Sequence, residues 1–503
     1  MVATTHTVAF QGIEARLVEV QCAITAGLPT FSIVGLPDKA VSEARERVRA
    51  ALSALSIALP SRKITVNLSP ADLPKEGSHF DLPIALSLLA AIGALPPDET
   101  ARSVALGELS LDGALVPVAG ALPAALTAAE NSCRLICPAR CGAEAAWVDA
   151  AEVLAPGGLL DCINHFTGRA VLAPAEAGEI TPPATGPDLR DIKGQERGKR
   201  ALEIAAAGRH HLLMIGPPGS GKSMLAARIP ALLPPLDAAE ALETSMVRSL
   251  AGQLVEGGIS RMRPFRAPHH TSSMAAIVGG GRGARPGEVS LAHNGVLFMD
   301  EFPEFPRAVL ETLRQPVETG EVTIARANAH IRYPCRFLLV AAANPCRCGQ
   351  LFDPGRACNH APLCGQEYMG RISGPLMDRF DLRIEVPPVT IEQLSLPPSG
   401  EDSAAVARRV ARARAIQSTR FAGVKGCAVN ADAEGRLLEE ITSLDAEGRD
   451  LLARAARRFG ISARGYHRIL RVARTIADLD GSDDVSPPHL AEAISFRLPA
   501  SGE

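Results

Sequence analysis

Residues 212–223 read Leu212-Leu213-Met214-Ile215-Gly216-Pro217-Pro218-Gly219-Ser220-Gly221-Lys222-Ser223, an apolar run that breaks into a glycine- and proline-rich loop and ends on a lysine and a hydroxyl. Four large apolar residues bounded by turn formers fit a strand buried on both faces. The glycines let successive backbone N–H groups turn inward around an anion. Lys222 supplies a point charge for terminal phosphates, and Ser223 a hydroxyl for Mg2+. Gly216, Pro217, Pro218, Gly219, Ser220, Gly221, Lys222 and Ser223 thus form a candidate ATP or GTP cradle, followed by an alanine-rich helix. The expected fold class is α/β, a parallel sheet between helices.

Downstream, Val296-Leu297-Phe298-Met299-Asp300-Glu301 is an apolar strand ending in two carboxylates. Asp300 is placed to hold Mg2+ and Glu301 to orient and activate the attacking water. A second apolar run, residues 337–343, ends at Asn344, whose amide can hold the water or the γ-phosphate. Arg379, within Asp378-Arg379-Phe380-Asp381, follows both. Alone it reads as an ion-pair partner; in this order it stands where a ring ATPase carries an arginine that neutralises charge at a neighbouring subunit's nucleotide. Arg464, opening a helical run at 464–479, is a candidate second phosphate sensor.

A chain of 503 residues exceeds one ordinary core. Net charge of −3 gives no global signal for nucleic acid, so a basic surface has to be local. Eleven cysteines in so long a chain, with no basic segment and apolar core at its start, do not suggest a secreted disulfide framework. The longest apolar stretch, residues 82–95, contains Pro83 and Gly93 and is too short to span a bilayer. The expectation is a soluble cytoplasmic protein without a membrane partner.

Residues 173–187, rich in Pro, Ala, Gly and Thr, read as a linker. Before it, residues 1–172 alternate β-type runs (15–23, 30–34, 63–68, 103–106) with helical ones (39–55, 82–92, 122–130), an α/β or α+β domain. Residues 188–395 hold the nucleotide motifs. Residues 396–503 are helical, with 3.6-period apolar positions over 404–420, 446–459 and 465–479.

The order of these parts resembles the AAA+ ATPases, specifically the magnesium-chelatase-like ComM and YifB group, over nearly the whole chain. The stretches that carry the resemblance include Arg263-Pro264-Phe265-Arg266-Ala267-Pro268-His269-His270-Thr271, Arg285-Pro286-Gly287-Glu288-Val289-Ser290-Leu291-Ala292-His293-Asn294, and Tyr466-His467-Arg468-Ile469-Leu470-Arg471-Val472-Ala473-Arg474. It implies a homo-oligomeric, hexameric ATP hydrolase using Mg2+ as a motor on single-stranded or branched DNA. In the ComM case it implies branch migration during recombination and natural transformation. Similar ATPases project a hairpin into a central pore. Here residues 319–332 alternate as a hairpin would, so Arg326 and His330 are candidate phosphate contacts, with Arg282 of the glycine-rich run 279–283 as another. Solvent-exposed loops are the bland alternative for both segments.

The first domain resembles the peptidase domain of Lon proteases around residues 73–82 and 107–120. On that alignment His79 falls where the nucleophilic serine belongs and Leu122 where the lysine belongs. Ser78 is adjacent but lacks a lysine base, so a non-proteolytic module is expected. Magnesium-chelatase motor subunit and ATP-dependent peptidase stand as alternative functions.

Cys346-Arg347-Cys348, Cys358-Asn359-His360 and Cys364 cluster just after Asn344 as an insert at 346–364. Four N or S ligands in a tetrahedron suit Zn2+. Cys346, Cys348 and Cys358 are candidate ligands, with Cys364 or His360 the fourth. Cys358-Asn359-His360 departs from the C-x-C usual for the second pair in the group. Cys133, Cys137 and Cys141 read as structural, since Pro138 interrupts their helical spacing.

Overall fold

The computed structural model describes residues 2–180, 186–254, 257–281, 284–326, 329–351, 355, 357–395, 397 and 400–497. The first unit is built on a seven-stranded mixed sheet. Its spine is a long antiparallel pair, Val2–Gln11 with Glu14–Thr25, in register from Val2↔Ala23 to Gln11↔Glu14. The turn falls at Gly12, whose φ of 71° lies in the left-handed region that favours glycine. Lys39–Ala54 and Asp81–Ala91 contribute Val41, Val48, Leu52, Leu82, Leu86 and Leu89 to its core. Ten of the eleven positions of the second helix are buried, as a helix apolar on almost every face requires. Its buried Asp81 is held bidentately by Arg47, at 2.6 and 2.9 Å.

The second sheet is five-stranded and wholly parallel, in the order Phe265–Arg266, Val296–Met299, Leu338–Ala343, Leu212–Ile215, Leu382–Glu385. The uninterrupted apolar runs at 212–215, 296–299 and 338–343 have this cause: both faces are covered, so no position can alternate to polar. One face packs on Glu196–Gly208 and the C-terminal helices through Leu202, Ile204, Leu470 and Ile476. The other packs on Phe302, Phe305, Leu310 and the antiparallel hairpin Glu321–Arg326 with Ala329–Pro334.

Three of the C-terminal helices start on side-chain caps. Asp402, Asp445 and Ser462 accept hydrogen bonds from Ala405, Gly448 and Gly465 N–H at the heads of Ser403–Arg420, Ala446–Phe459 and Ala463–Asp480. Asp478 ties the first of these helices to the third, accepting from Arg420 at 2.6 Å, Asn430 at 2.7 Å and, on its own helix, Arg474 at 3.0 Å.

A second buried carboxylate joins these helices to the sheet. Asp381, ahead of Leu382–Glu385, accepts from Arg468 Nη1 at 2.5 Å and pairs with His210 Nδ1 at 3.3 Å. Burial alone would raise its pKa, but Arg468 and His210 outweigh burial and hold it well below the usual carboxylate range. Asp381→Ala leaves Arg468 and His210 facing an apolar gap and is expected to cost about 3–5 kcal/mol. Because the folded pKa is depressed, the parent's advantage is complete above the unfolded value of about 3.9 and is lost as pH falls through the folded value. Urea midpoints of both chains from pH 7 downward check this.

Among the described residues the two units meet around Trp147 and around Gly12. Trp147 Nε1 donates to the Gly257 carbonyl at 2.7 Å, Ser249 Oγ donates to buried Glu144, and Leu242 and Met246 of the helix Ala238–Leu250 pack against the first unit. At the second, the turn at Gly12 lies on the hairpin. A Cβ there would stand 2.0 Å from the Arg332 carbonyl oxygen, and Phe10 and Ile13 join the core beneath. Among the described residues no helix is long and apolar enough to cross a membrane.

Candidate functional site

Three neighbouring parallel strands end together. Ile215 pairs with Ala343, and Met299 with Ala341, so Gly216, Asn344 and Asp300 leave the sheet side by side at its carboxyl edge. That edge is where open α/β sheets bind ligands. The loop after Ile215 turns with Gly219 at φ 76° and Gly221 at φ 92°, then enters the helix Lys222–Ala226. A side chain at Gly216 would meet the Val386 carbonyl oxygen at 2.2 Å, so that glycine allows the loop to lie against the next strand.

Lys222 is 8% exposed, and its ammonium donates to the carbonyls of Gly216 (2.8 Å) and Pro217 (2.9 Å) and to Asn344 Oδ1 (3.3 Å). Burial lowers its pKa, while Asp300 and Glu301 favour the charged form. Ser223 Oγ donates to Asp300 Oδ2 at 2.7 Å, and Asp300 Oδ1 accepts the Glu301 N–H at 2.8 Å. A hydroxyl and a carboxylate oxygen in contact beside a buried lysine form a hard-oxygen seat for a phosphate-bound divalent cation. Glu301 adopts φ 50°, a strained conformation for a non-glycine residue, and its half-exposed carboxylate meets His270 Nδ1 at 3.0 Å.

Arg379 lies elsewhere. It precedes Leu382, which pairs with Leu212, so it stands at the amino edge of the sheet. A four-residue strand, about 13 Å, separates it from its own phosphate loop. There it is 7% exposed, donating to the Pro375 carbonyl at 2.7 Å and Glu318 at 2.5 Å, with Nε unpartnered among the described residues. Arg464 lines the same cavity of about 500 Å³, with Arg209, Arg468 and Arg471; none of the phosphate-loop residues does. The structure thus gathers Lys222, Ser223, Asp300, Glu301 and Asn344 at one edge, and Arg379 with Arg464 at the other.

Cys346 and Cys348 place their sulfurs 3.0 Å apart, and with Cys364 all three lie within 4.8 Å of one another. Three sulfurs on one tetrahedral Zn2+ at about 2.3 Å would stand about 3.8 Å apart, between the 3.0 Å of Cys346–Cys348 and the 4.8 Å bound on the three, so a modest opening of the first pair would seat that ion. The convergent group is Cys346, Cys348 and Cys364; Cys358 lies outside it but hydrogen-bonds with the thiols of Cys348 and Cys364, and His360 is outside it as well. Hydrogen bonding from Cys346 lowers the Cys348 thiol to about 7, favouring the thiolate a metal needs.

In the first unit Leu122 is fully buried and apolar-packed, Ser78 Oγ donates to Glu108, and His79 Nε2 lies 2.9 Å from the Val8 carbonyl, with burial lowering its pKa. No lysine base reaches Ser78 among these contacts. The hairpin expected at 319–332 is present, but Arg282 and the side chains of Arg326 and His330 lie outside the described residues. Sequence reasoning gave no role to His270 or Glu318. His270 was legible in one respect, since its Pro-His-His-Thr follows the strand beside that of Asp300.

Three family profiles match in succession: "Subunit ChlI of Mg-chelatase" over residues 18–140, "Magnesium chelatase, subunit ChlI" over 188–394, and "Magnesium chelatase, subunit ChlI C-terminal" over 400–497. The competence protein ComM of Haemophilus influenzae is 45% identical, covering 98% of this chain and 97% of its own. The YifB protein of Escherichia coli is 42% identical, covering 98% and 96%. The magnesium-chelatase 38 kDa subunit of Rhodobacter capsulatus is 27% identical, covering 66% of this chain and 92% of its own.

Proposed function

Because the chain belongs to the magnesium-chelatase-like AAA+ ATPases of the ComM and YifB group, we propose that it is a hexameric, ring-forming homo-oligomeric motor that hydrolyses ATP to drive branch migration or unwinding of DNA. The observation that carries the reading is the separation of the two half-sites. Lys222, Ser223, Asp300, Glu301 and Asn344 supply the phosphate, Mg2+ and water functions at one edge of the sheet. Arg379 and Arg464 stand at the other, where they serve a neighbour's nucleotide. A subunit divided in this way works only in an assembly. DNA is the proposed cargo because the hairpin of Glu321–Arg326 and Ala329–Pro334 lies beside the glycine-rich run through Ile324, and because the Haemophilus relative is named for competence.

The working units are a non-proteolytic Lon-like module over 1–172, a linker over 173–187, the ATPase over 188–395 and a helical domain over 396–503, with action in the cytoplasm. The deciding experiment is a four-way-junction branch-migration and strand-displacement assay with and without ATP. ATP-dependent movement of DNA is expected. ATP hydrolysis indifferent to DNA, coupled instead to Mg2+ insertion into a porphyrin, would assign the chain to the chelatase reading.

His270 enters as a positioning residue that holds the Glu301 carboxylate. His270→Ala is expected to lower kcat about 10- to 100-fold with KM for ATP unchanged, and His270→Asn to recover part of the loss. A rise in KM with kcat intact would mean that the imidazole serves binding instead.

A further inference from the structure

We propose that the cysteine insert is a metal-set wall of the nucleotide pocket: Zn2+ on Cys346, Cys348, Cys358 and Cys364 fixes the phosphate loop and so tightens ATP binding. The inference rests on the zinc reading of the cluster and adds a function to it.

The insert leaves the strand Leu338–Ala343 through Asn344, whose amide oxygen accepts from Lys222, and only Pro345 separates Asn344 from Cys346. Cys346 is fully buried, and its carbonyl accepts the Gly349 N–H at 3.0 Å, closing a tight turn around Cys348. Gly349 has φ +77°, and a Cβ built there would stand 2.6 Å from Pro218 Cδ and 2.8 Å from Pro218 Cγ. The tip of the cysteine turn therefore rests directly on the phosphate loop. A cavity of about 690 Å³ opens at this contact, with Gly216, Pro217 and Pro218 on one wall and Gly349 and Gln350 on another.

The far end of the insert returns to the same place. Cys364 N–H donates to the His360 carbonyl at 3.0 Å, and the next residue, Gly365, packs under Pro345, where a Cβ would lie 3.2 Å from the Pro345 carbonyl oxygen. Sulfurs from both ends thus meet beneath the turn that touches Pro218. One ion bonded to all of them holds Asn344, Gly349 and Pro218 as a unit; separate thiols do so only through weak hydrogen bonds. Order imposed on the loop before nucleotide arrives is ordering that ATP need not supply.

Two linked sites tighten each other by the same factor, so the test has two readouts. In the full-length chain, metal analysis is expected to find about one zinc per subunit. Extraction with a strong chelator is expected to weaken binding of a fluorescent, non-hydrolysable ATP analogue about 5- to 150-fold, with recovery on adding Zn2+ back. At equilibrium, the analogue should raise zinc affinity against a competing chelator by that same factor. Gly349→Val, which removes no thiol but strains the turn at φ +77° against Pro218, should lower the thermal midpoint and, in chains that still hold zinc, weaken analogue binding. A chain that holds zinc but binds the analogue equally well after extraction overturns the inference and leaves the zinc reading standing. A folded chain that takes up no zinc overturns both.

Discussion

Glu301→Gln is expected to bind ATP as the parent chain does and to hydrolyse it about 10²- to 10⁴-fold more slowly. The amide keeps the shape and polarity of the carboxylate but cannot accept a proton from water. Nothing else at the carboxyl edge of the sheet is displaced: Ser223 still meets Asp300, and Lys222 still meets Asn344. Lys222→Ala acts at a different step, removing the buried cation over the loop, and should abolish binding as well as turnover. Equilibrium binding of a labelled ATP beside steady-state phosphate release separates the two. Turnover unchanged in Glu301→Gln would remove Glu301 from the chemistry.

Arg379→Ala should lower turnover about 10³- to 10⁵-fold, the range in which an arginine supplied from outside the binding loop acts on phosphoryl transfer. Geometry makes the sharper claim. Since Arg379 stands a strand length from its own phosphate loop, the loss should be repairable by another subunit. Rings mixed from Arg379→Ala and Lys222→Ala chains contain interfaces with an intact loop on one side and an intact arginine on the other. Such rings should hydrolyse ATP although each variant alone does not. Well-mixed rings without activity would return Arg379 to an ion-pair role with Glu318, and a fall in thermal midpoint in the single variant would accompany that outcome.

Three of the five parallel strands and their terminal residues were legible because burial on both faces leaves an uninterrupted apolar signature at 212–215, 296–299 and 338–343, whereas the short edge strands Phe265–Arg266 and Leu382–Glu385 carry arginine and left no such run. The helical tail was legible from its period, with ends shifted by a residue or two, as at Ala463–Asp480 against the expected 465–479. The opening strand Val2–Gln11 escaped because His6 and three threonines dilute its apolar positions, although Thr5 and Thr7 are fully buried. Motif order named Arg379 and Arg464 but could not put them in one cavity, since 85 residues of chain separate them and tertiary packing alone joins them. The fourth thiol was ambiguous in sequence for a similar reason. Cys364 and His360 are both close in number, and only the turn of the chain brings the sulfur inward.

The seat of Gly12 on the Arg332 carbonyl has a mechanical meaning. A backbone pressed against a backbone has no side chain to swing aside and absorb play. If the hairpin Glu321–Pro334 travels with DNA, the opening domain must travel with it or serve as the anvil against which it slides. On the proposed DNA-motor reading the opening domain would then be part of the gearing, and a chain shortened to its ATPase would turn over fuel without traction.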